Sequence, residues 1–172
     1  RTLLDGIPDL VWMKDPYGVY RFCNPTFERF FGANESEIIG RTDYDFVDKE
    51  LADFFRVHDQ RAISAGQSSG NEEELVFADG SYHGIFETVK TPVRDTDGRL
   101  MGVLGIARDI SERKAAENAL RIANDIIARS PVAAFVWKNE IGWPVEYASA
   151  NVEGIFGSSA EDFISGKILY FN

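Results

Sequence analysis

The period of the hydrophobic residues changes twice along the first 110 residues, and this limits the folds that the chain can adopt. Short apolar or alternating runs typical of strands lie at both ends of that stretch. Turn residues such as Pro16, Gly18 and the Asp79-Gly80 pair separate them and favour hairpins. The strand patterns occupy residues 10–13, 19–23, 74–77, 84–93 and 101–107.

A helical period replaces the strand period between residues 24 and 66. The run Asn24–Gly32 places three phenylalanines three and four positions apart, after an Asn-Pro pair that suits a helix start. Ser36 is expected to open a short helix, and a longer helix is expected over residues 49–65. Two strands, several helices and three strands predict an α+β fold, an antiparallel sheet with helices on one face.

Composition excludes several classes of partner. The net charge of −10 argues against a nucleic-acid or anionic-membrane surface, which needs clustered Lys and Arg. Cys23 is the single cysteine, so no intrachain disulfide is possible, and a reducing, cytoplasmic location is expected. No apolar run reaches the length of about 18 residues that spans a bilayer, so no membrane contact is expected.

Part of the first 40 residues is repeated after residue 130. The run NPTFERFFG at Asn24–Gly32 matches SANVEGIFG at Ser149–Gly157, and SEIIG at Ser36–Gly40 resembles EDFISG at Glu161–Gly166. The second copy stops at Asn172, before its counterparts of the long helix and of the last three strands. Residues 132–172 are therefore expected to be less stable than the first copy.

Three motifs, in order, resemble the PAS sensor family. They are VWMKDPYGVYRFCNPTFERFFG at Val11–Gly32, EIIGRTDYDF at Glu37–Phe46 and GVLGIARDISERK at Gly102–Lys114. The resemblance implies a five-stranded antiparallel sheet, a helical face that encloses a small-molecule cavity, and a C-terminal helix that carries the signal to an effector. It divides the chain into a complete PAS domain at 1–110, a connector helix at 111–129 and an incomplete second PAS domain at 130–172.

The connector helix has an apolar stripe that permits two interpretations. Ser111 is a candidate N-cap, and Ala116, Leu120, Ala123 and Ile127 follow the 4-3-4 spacing of a coiled-coil seam. This pattern predicts a homodimer contact, but packing of the helix on its own domain would use the same residues.

The family signature lies where the last strand becomes the connector helix. In similar proteins this joint couples the sheet to the outgoing helix, which makes Asp109, Ser111 and Arg113 candidate coupling residues. Asp109 is placed to cap the helix or to pair with a nearby cation, and its charge suits a helix N-terminus. Ordinary helix capping is the alternative interpretation, and it is compatible with a coupling role.

The cavity implied by the resemblance is a candidate ligand site, and a filled aromatic core is the alternative. Arg21, Tyr44, Arg61 and Lys90 are polar candidates for recognition of a ligand. The residues expected to converge between sheet and helices are Phe30, Phe46, Phe54, Phe55, Phe77, Phe86, Val103 and Gly105.

Two single residues bear on the choice of cofactor. His58 lies on the long helix where haem-binding relatives place an axial imidazole, so haem is a minor hypothesis. Cys23 is expected to be a buried strand residue, and the stretch that carries the reactive cysteine in light-sensing relatives has none here, which disfavours a flavin adduct. No metal site is expected.

No catalytic motif is found, so no enzyme is expected within these residues: a phosphate-binding Gly-rich loop, a His/Cys metal cluster and a nucleophile elbow are all missing from the sequence. The resemblance implies a histidine kinase or a diguanylate cyclase as the parent protein. Two functions remain open, a sensory module that binds a small molecule and relays its state, and a ligand-free dimerisation or spacer module.

Overall fold

The computed structural model describes residue 4 and residues 6–168. Its main sheet has five antiparallel strands in the order β2-β1-β5-β4-β3, so the predicted five-stranded antiparallel sheet is confirmed. Register shifts interrupt the β1–β2 pair after Met13 and the β4–β5 pair after Val93. The strands are β1 (Leu10–Lys14), β2 (Tyr20–Cys23), β3 (Ser69–Val76), β4 (His83–Arg94) and β5 (Leu100–Asp109).

The helices between β2 and β3 begin and end at the residues that their caps dictate. They are α1 (Pro25–Phe31), α2 (Glu35–Ile38), a 3-10 turn (Asp43–Asp45) and α3 (Lys49–Ala65). Asn24 caps α1 by accepting the N–H of Phe27 at 3.1 Å. The expectation that Ser36 opens α2 is wrong: Asn34 is the N-cap, because the Glu37 carboxylate accepts the Asn34 N–H at 2.9 Å.

Aromatic side chains of α1 form the core between the helices and the sheet. Phe27 lies 5.1 Å from the Trp12 ring of β1 and 4.7 Å from Phe31, while Phe31 stacks on Phe46 at 4.6 Å. Each such side chain contributes about 1.5–3 kcal/mol when it is fully removed from water. Cys23 is buried within the same cluster, as predicted.

The chain divides into two compact units, a first unit at Arg1–Glu112 and a second unit at Arg113–Asn172. Helix α4 (Ser111–Arg129) begins directly after β5 and continues into the second unit, and none of its residues is buried. The second unit also contains β6 (Phe135–Trp137), β7 (Val145–Ala148), α5 (Val152–Phe156) and α6 (Ala160–Ile164). Among the described helices, none is long and apolar enough to cross a membrane.

The repeat noticed in the sequence is also a repeat of geometry. Strands β6 and β7 pair antiparallel with a register shift after Val136, the counterpart of the shift after Met13. Gly32 and Gly157 end α1 and α5 in the same left-handed conformation, with φ of 66° and 75°. Ser159 and Asp162 form a capping box at α6, as Asn34 and Glu37 do at α2. The second copy therefore reproduces β1, β2, α1 and α2.

Candidate ligand cavity and helix joint

A small cavity lies between the sheet and the helices of the first unit. The volume open to the centre of a water-sized sphere is about 10 Å³, the size that holds about one water molecule. Most of its wall is apolar, but four of the lining side chains carry polar atoms. It is lined by Leu10, Trp12, Lys14, Tyr20, Phe27, Phe30, Phe55, Glu73 and Leu75.

The predicted cavity residues fall into three groups. Phe30 and Phe55 line the cavity. Phe77, Phe86 and Val103 are buried, and Phe46 is half-buried against Phe31, but these four are not among the lining residues. Phe54 is 38% exposed and points away from the interior.

Gly105 shapes the cavity without lining it. Residue 105 pairs with Trp12 across β1 and β5, and a Cβ atom there would stand 2.2 Å from the indole ring. Gly102 lies equally close to the backbone of Lys14: a Cβ atom at residue 102 would stand 1.9 Å from the Lys14 carbonyl oxygen. The missing side chains at these two glycines allow β1 to approach β5 closely, with Trp12 against Gly105.

A buried network of charges joins the sheet to the helical layer next to the cavity. The Lys14 ammonium contacts both oxygens of Asp43 at 2.7 Å and Asp59 Oδ2 at 3.1 Å. Lys90 contacts Asp59 Oδ1 at 2.7 Å and donates to the Phe55 carbonyl at 2.9 Å. The Tyr20 hydroxyl donates to Asp43 at 2.6 Å. Two lysines of the sheet are thus neutralised by two aspartates of the helical layer.

The network shifts the pKa values of Asp59 and Tyr20. Burial opposes the charge on Asp59, but the ammonium groups of Lys14 and Lys90 outweigh it and hold the pKa of Asp59 below its usual value. Burial and the neighbouring Asp43 carboxylate raise the pKa of Tyr20 well above 10. Tyr20 is therefore a neutral hydrogen-bond donor to a carboxylate at neutral pH.

Neither single-residue cofactor hypothesis fits this interior. His58 is buried on α3, its Nδ1 lies 2.9 Å from the Phe54 carbonyl, and it is not among the cavity-lining residues. A cavity of about 10 Å³ has no room for a porphyrin. Burial raises the pKa of Cys23 to about 12, so its thiol is not a nucleophile at neutral pH. Within the described residues, His, Cys, Asp and Glu form no group of three that could hold a metal ion.

Only one of the four proposed polar recognition residues is in the interior. Lys90 is buried in the charge network, whereas Arg21, Tyr44 and Arg61 are exposed. The Arg21 guanidinium pairs with Asp15 at 2.7 Å, and the Tyr44 hydroxyl donates to Asp53 at 2.7 Å.

Three hydrogen bonds hold the joint between β5 and α4. Asp109 accepts the N–H of Ser111 at 2.8 Å and the hydroxyl of Tyr82. Ser111 Oγ accepts the N–H of Ile85 in β4 at 2.9 Å. Asp109 thus caps α4 as predicted, and its second contact is a phenol, not a cation. The prediction that Ser111 is the N-cap of α4 is wrong: Ser111 is the first residue of the helix, and its hydroxyl accepts the N–H of Ile85, which fastens α4 to β4. Arg113 is exposed in the first turn of α4.

Aromatic rings connect the cavity to this joint. Phe30 lines the cavity and lies 5.8 Å from Phe77, measured between ring centroids. Phe77 lies 5.5 Å from Tyr82, whose hydroxyl donates to Asp109. These contacts form a continuous path from the cavity wall to the first turn of α4.

Sequence reasoning missed the polar residues of the site, namely Trp12, Lys14, Tyr20, Asp43, Asp59 and Glu73. A signal for two of them was present in the alternation of the strands. Lys14 falls on the same side of β1 as Leu10 and Trp12, and Lys90 on the same side of β4 as Phe86, so both had to point inward.

Comparison with known proteins identifies the family. The family model described as PAS fold matches residues 4–115, so the chain belongs to the PAS-fold family. The methanogenesis regulatory histidine kinase FilI of Methanothrix harundinacea is 33% identical over 135 residues, which cover 78% of this chain and 15% of FilI. A diguanylate cyclase of Vibrio cholerae is 29% identical over 112 residues, 64% of this chain and 35% of that protein.

Solved structures show the same fold. A Vibrio cholera VqmA–ligand–DNA complex superposes with a TM-score of 0.59 and 25% identity, over 63% of this chain and 49% of that one.

This chain spans about a sixth of FilI and about a third of the cyclase. It is therefore a sensor-type module of the kind found in longer signalling proteins.

Proposed function

We propose that this chain is the sensory part of a signalling protein and that its PAS domain takes up a small molecule in the cavity beneath Trp12. A change at the cavity wall reaches α4 through Phe30, Phe77, Tyr82 and Asp109, and α4 passes it to an effector domain. The observation that carries the proposal is this unbroken path of ring contacts and one hydrogen bond from the cavity to the helix joint.

The kinds of protein in which the relatives occur support this role. Their names are those of a regulatory histidine kinase and a diguanylate cyclase, and VqmA was solved with a ligand. We propose that the catalytic activity of the parent protein lies outside these residues and that the effector is of one of these two types. The residues described here then serve regulation.

A double-mutant cycle tests the path without knowledge of the ligand. Phe30→Leu alters the cavity wall, and Tyr82→Phe removes only the hydroxyl that reaches Asp109. We expect Phe30→Leu to speed hydrogen exchange of the amides at the start of α4 in the wild-type background, and to leave them unchanged when Tyr82→Phe is present.

The matched control for Tyr82→Phe is Tyr17→Phe, because Tyr17 is 85% exposed. The Phe30→Leu effect should persist in that background. Additive, independent effects of Phe30→Leu and Tyr82→Phe on α4 exchange would show that the path does not couple the two ends.

A ligand-free dimerisation module is the second candidate, and the small cavity volume favours it. The open volume of about 10 Å³ is what a filled aromatic core leaves. Leu120 of the seam is 64% exposed in the single chain, and no residue of α4 is buried, which is consistent with a helical dimer contact. Leu120→Glu combined with Ile127→Glu should make the protein monomeric in sedimentation experiments, with Glu117→Gln as control. A dimer that persists would exclude this seam.

A further inference from the structure

Two polar atoms at the cavity have no hydrogen-bond partner among the described residues. They are Trp12 Nε1, a donor, and Glu73 Oε2, an acceptor, and both are fully buried. Both side chains line the same cavity. Folded proteins pair nearly all such atoms, so an unmatched donor and an unmatched acceptor at one cavity indicate a missing partner.

Packing holds the Trp12 side chain in place, and a hydrogen bond holds that of Glu73. The Trp12 ring lies against Gly105, which leaves no space for even a Cβ atom, and it contacts Phe27 at 5.1 Å between centroids. The other oxygen of Glu73 accepts the hydroxyl of Thr88, which fixes the carboxylate on β3. The donor and the acceptor are therefore held in place before a ligand arrives.

The charges around the cavity restrict the ligand further. Lys14 is the one lysine in the lining, and its ammonium is already shared between Asp43 and Asp59 at 2.7 and 3.1 Å. An anionic ligand would meet the Glu73 carboxylate with no uncommitted cation in the lining to balance it. A neutral group that both accepts and donates satisfies the two atoms without adding charge.

We propose that this cavity recognises a small neutral molecule whose hydrogen-bond acceptor and donor are adjacent, as in a primary or cyclic amide. The acceptor takes the N–H of Trp12, and the donor binds Glu73 Oε2. This inference rests on the proposed function and names the ligand class of that site. Because the open volume of about 10 Å³ holds only about one water molecule, even a ligand as small as acetamide must displace apolar side chains of the wall.

Indole N–H signals in ¹⁵N-correlated NMR spectra of the whole chain report directly on the proposed contact. The chain has 3 tryptophans, and Trp12→Phe assigns the signal of Trp12. Acetamide should move that signal saturably, with a dissociation constant of about millimolar for so few atoms. Acetone lacks the donor and acetate is charged, so both should bind at least about tenfold more weakly. The signals of Trp137 and Trp143 should not move.

A matched pair of variants isolates the carboxylate. Glu73→Met removes the acceptor at nearly constant size, and it should weaken acetamide about tenfold and abolish its preference over acetone. Glu74→Met should bind acetamide as the wild type does, because the Glu74 side chain is 70% exposed on the other side of β3. If Glu73→Met does not fold, the comparison of acetamide with acetone in the wild type decides the matter by itself.

The ligand class and the proposed function fail differently. If acetone binds as well as acetamide, the ligand class is wrong, while the uptake of a small molecule stands. If none of the three probes moves the Trp12 signal, the amide class is overturned and water is left as the occupant of the cavity. The cycle with Phe30 and Tyr82 then still decides whether cavity and helix are coupled.

Discussion

The two copies of the repeat use different side chains to bind the backbone groups at and before their first strand. In the first unit, Asn24 Oδ1 accepts the N–H of Val11 at 3.0 Å, and its Nδ2 donates to the carbonyls of Ile7 and Asp9 at 3.3 and 2.9 Å. In the second unit Ser149 Oγ accepts the N–H of Ala134 at 2.8 Å. The donor part falls to Asn151, two residues later.

Asn151 Nδ2 donates to the carbonyls of Ser130 and Val132 at 2.7 and 3.0 Å. The single amide of Asn24 thus makes the hydrogen bonds that the Ser149 hydroxyl and the Asn151 amide make in the second unit. The comparison teaches that the segment before the first strand of each copy has fixed hydrogen-bonding needs, and that the residue type that meets them is free to change.

The units also differ in how their charges are placed. The first has its Lys14–Asp43–Asp59–Lys90 network with side chains at most 2% exposed. In the second, the pair Lys167–Asp162 is close, at 2.8 Å, but its side chains are 75% and 27% exposed. The ion pairs of the two units have similar lengths but different expected contributions to stability, because solvent screens the exposed pair in the second unit.

The largest expected effect follows from breaking the buried network. Lys14→Met leaves Asp43 buried without its ammonium partner and should lower the free energy of unfolding of the first unit by about 3–5 kcal/mol. Lys167→Met should cause no measurable loss in the second unit. Urea unfolding followed by hydrogen exchange of each unit measures both, and equal losses would contradict the distinction.

A smaller effect is expected from removing the shared amide. Asn24→Ala leaves several buried backbone groups unpaired and should cost about 3 kcal/mol, while Asn151→Ala, near the surface, should cost about 1 kcal/mol. Asn24→Ser keeps an acceptor, as in the second copy, and should recover part of the loss. Urea midpoints of the three variants test this order, and Asn24→Ser behaving as Asn24→Ala would mean that the acceptor contributes little.

Acid should destabilise the first unit through Asp59. Its pKa in the folded protein is below the usual 3.8, so its stabilising contribution is complete at neutral pH. That contribution is lost as the pH falls below about 4 towards the folded value. Unfolding midpoints between pH 7 and pH 3 should fall less steeply in Asp59→Asn than in the wild type. The control Asp162→Asn should leave the pH dependence of the first unit unchanged. If Asp59→Asn has the same slope as the wild type, carboxylates other than Asp59 cause the loss of stability in acid.

The smallest expected effect concerns the glycines that end α1 and α5. Gly157→Ala places a side chain at φ 75° with no atom within 4 Å and should cost about 1 kcal/mol. Gly32→Ala should cost a few tenths more, because its Cβ would stand 3.2 Å from that of Ala78. Thermal unfolding of each unit measures the difference. A larger loss at Gly157 would show that the Ala78 contact does not matter.

The sequence by itself determined the order and type of the elements. Alternation, helical spacing, turn residues and caps are local properties, so the five strands, helix α4 over residues 111–129 and the repeat could be predicted from the residues. The buried pair Lys14 and Lys90 could have been predicted from alternation, but a lysine at an inward position does not say which carboxylate will neutralise it.

Only the tertiary structure decided which residues meet. Lys14 and Asp59 are 45 positions apart, and Tyr82 and Asp109 are 27 apart. Such partners are brought together by the strand order β2-β1-β5-β4-β3, in which β5 returns to pair with β1. The cavity volume, the unpaired atoms of Trp12 and Glu73, and the path to α4 depend on distances between elements that no local pattern contains, because packing depends on all the side chains at once.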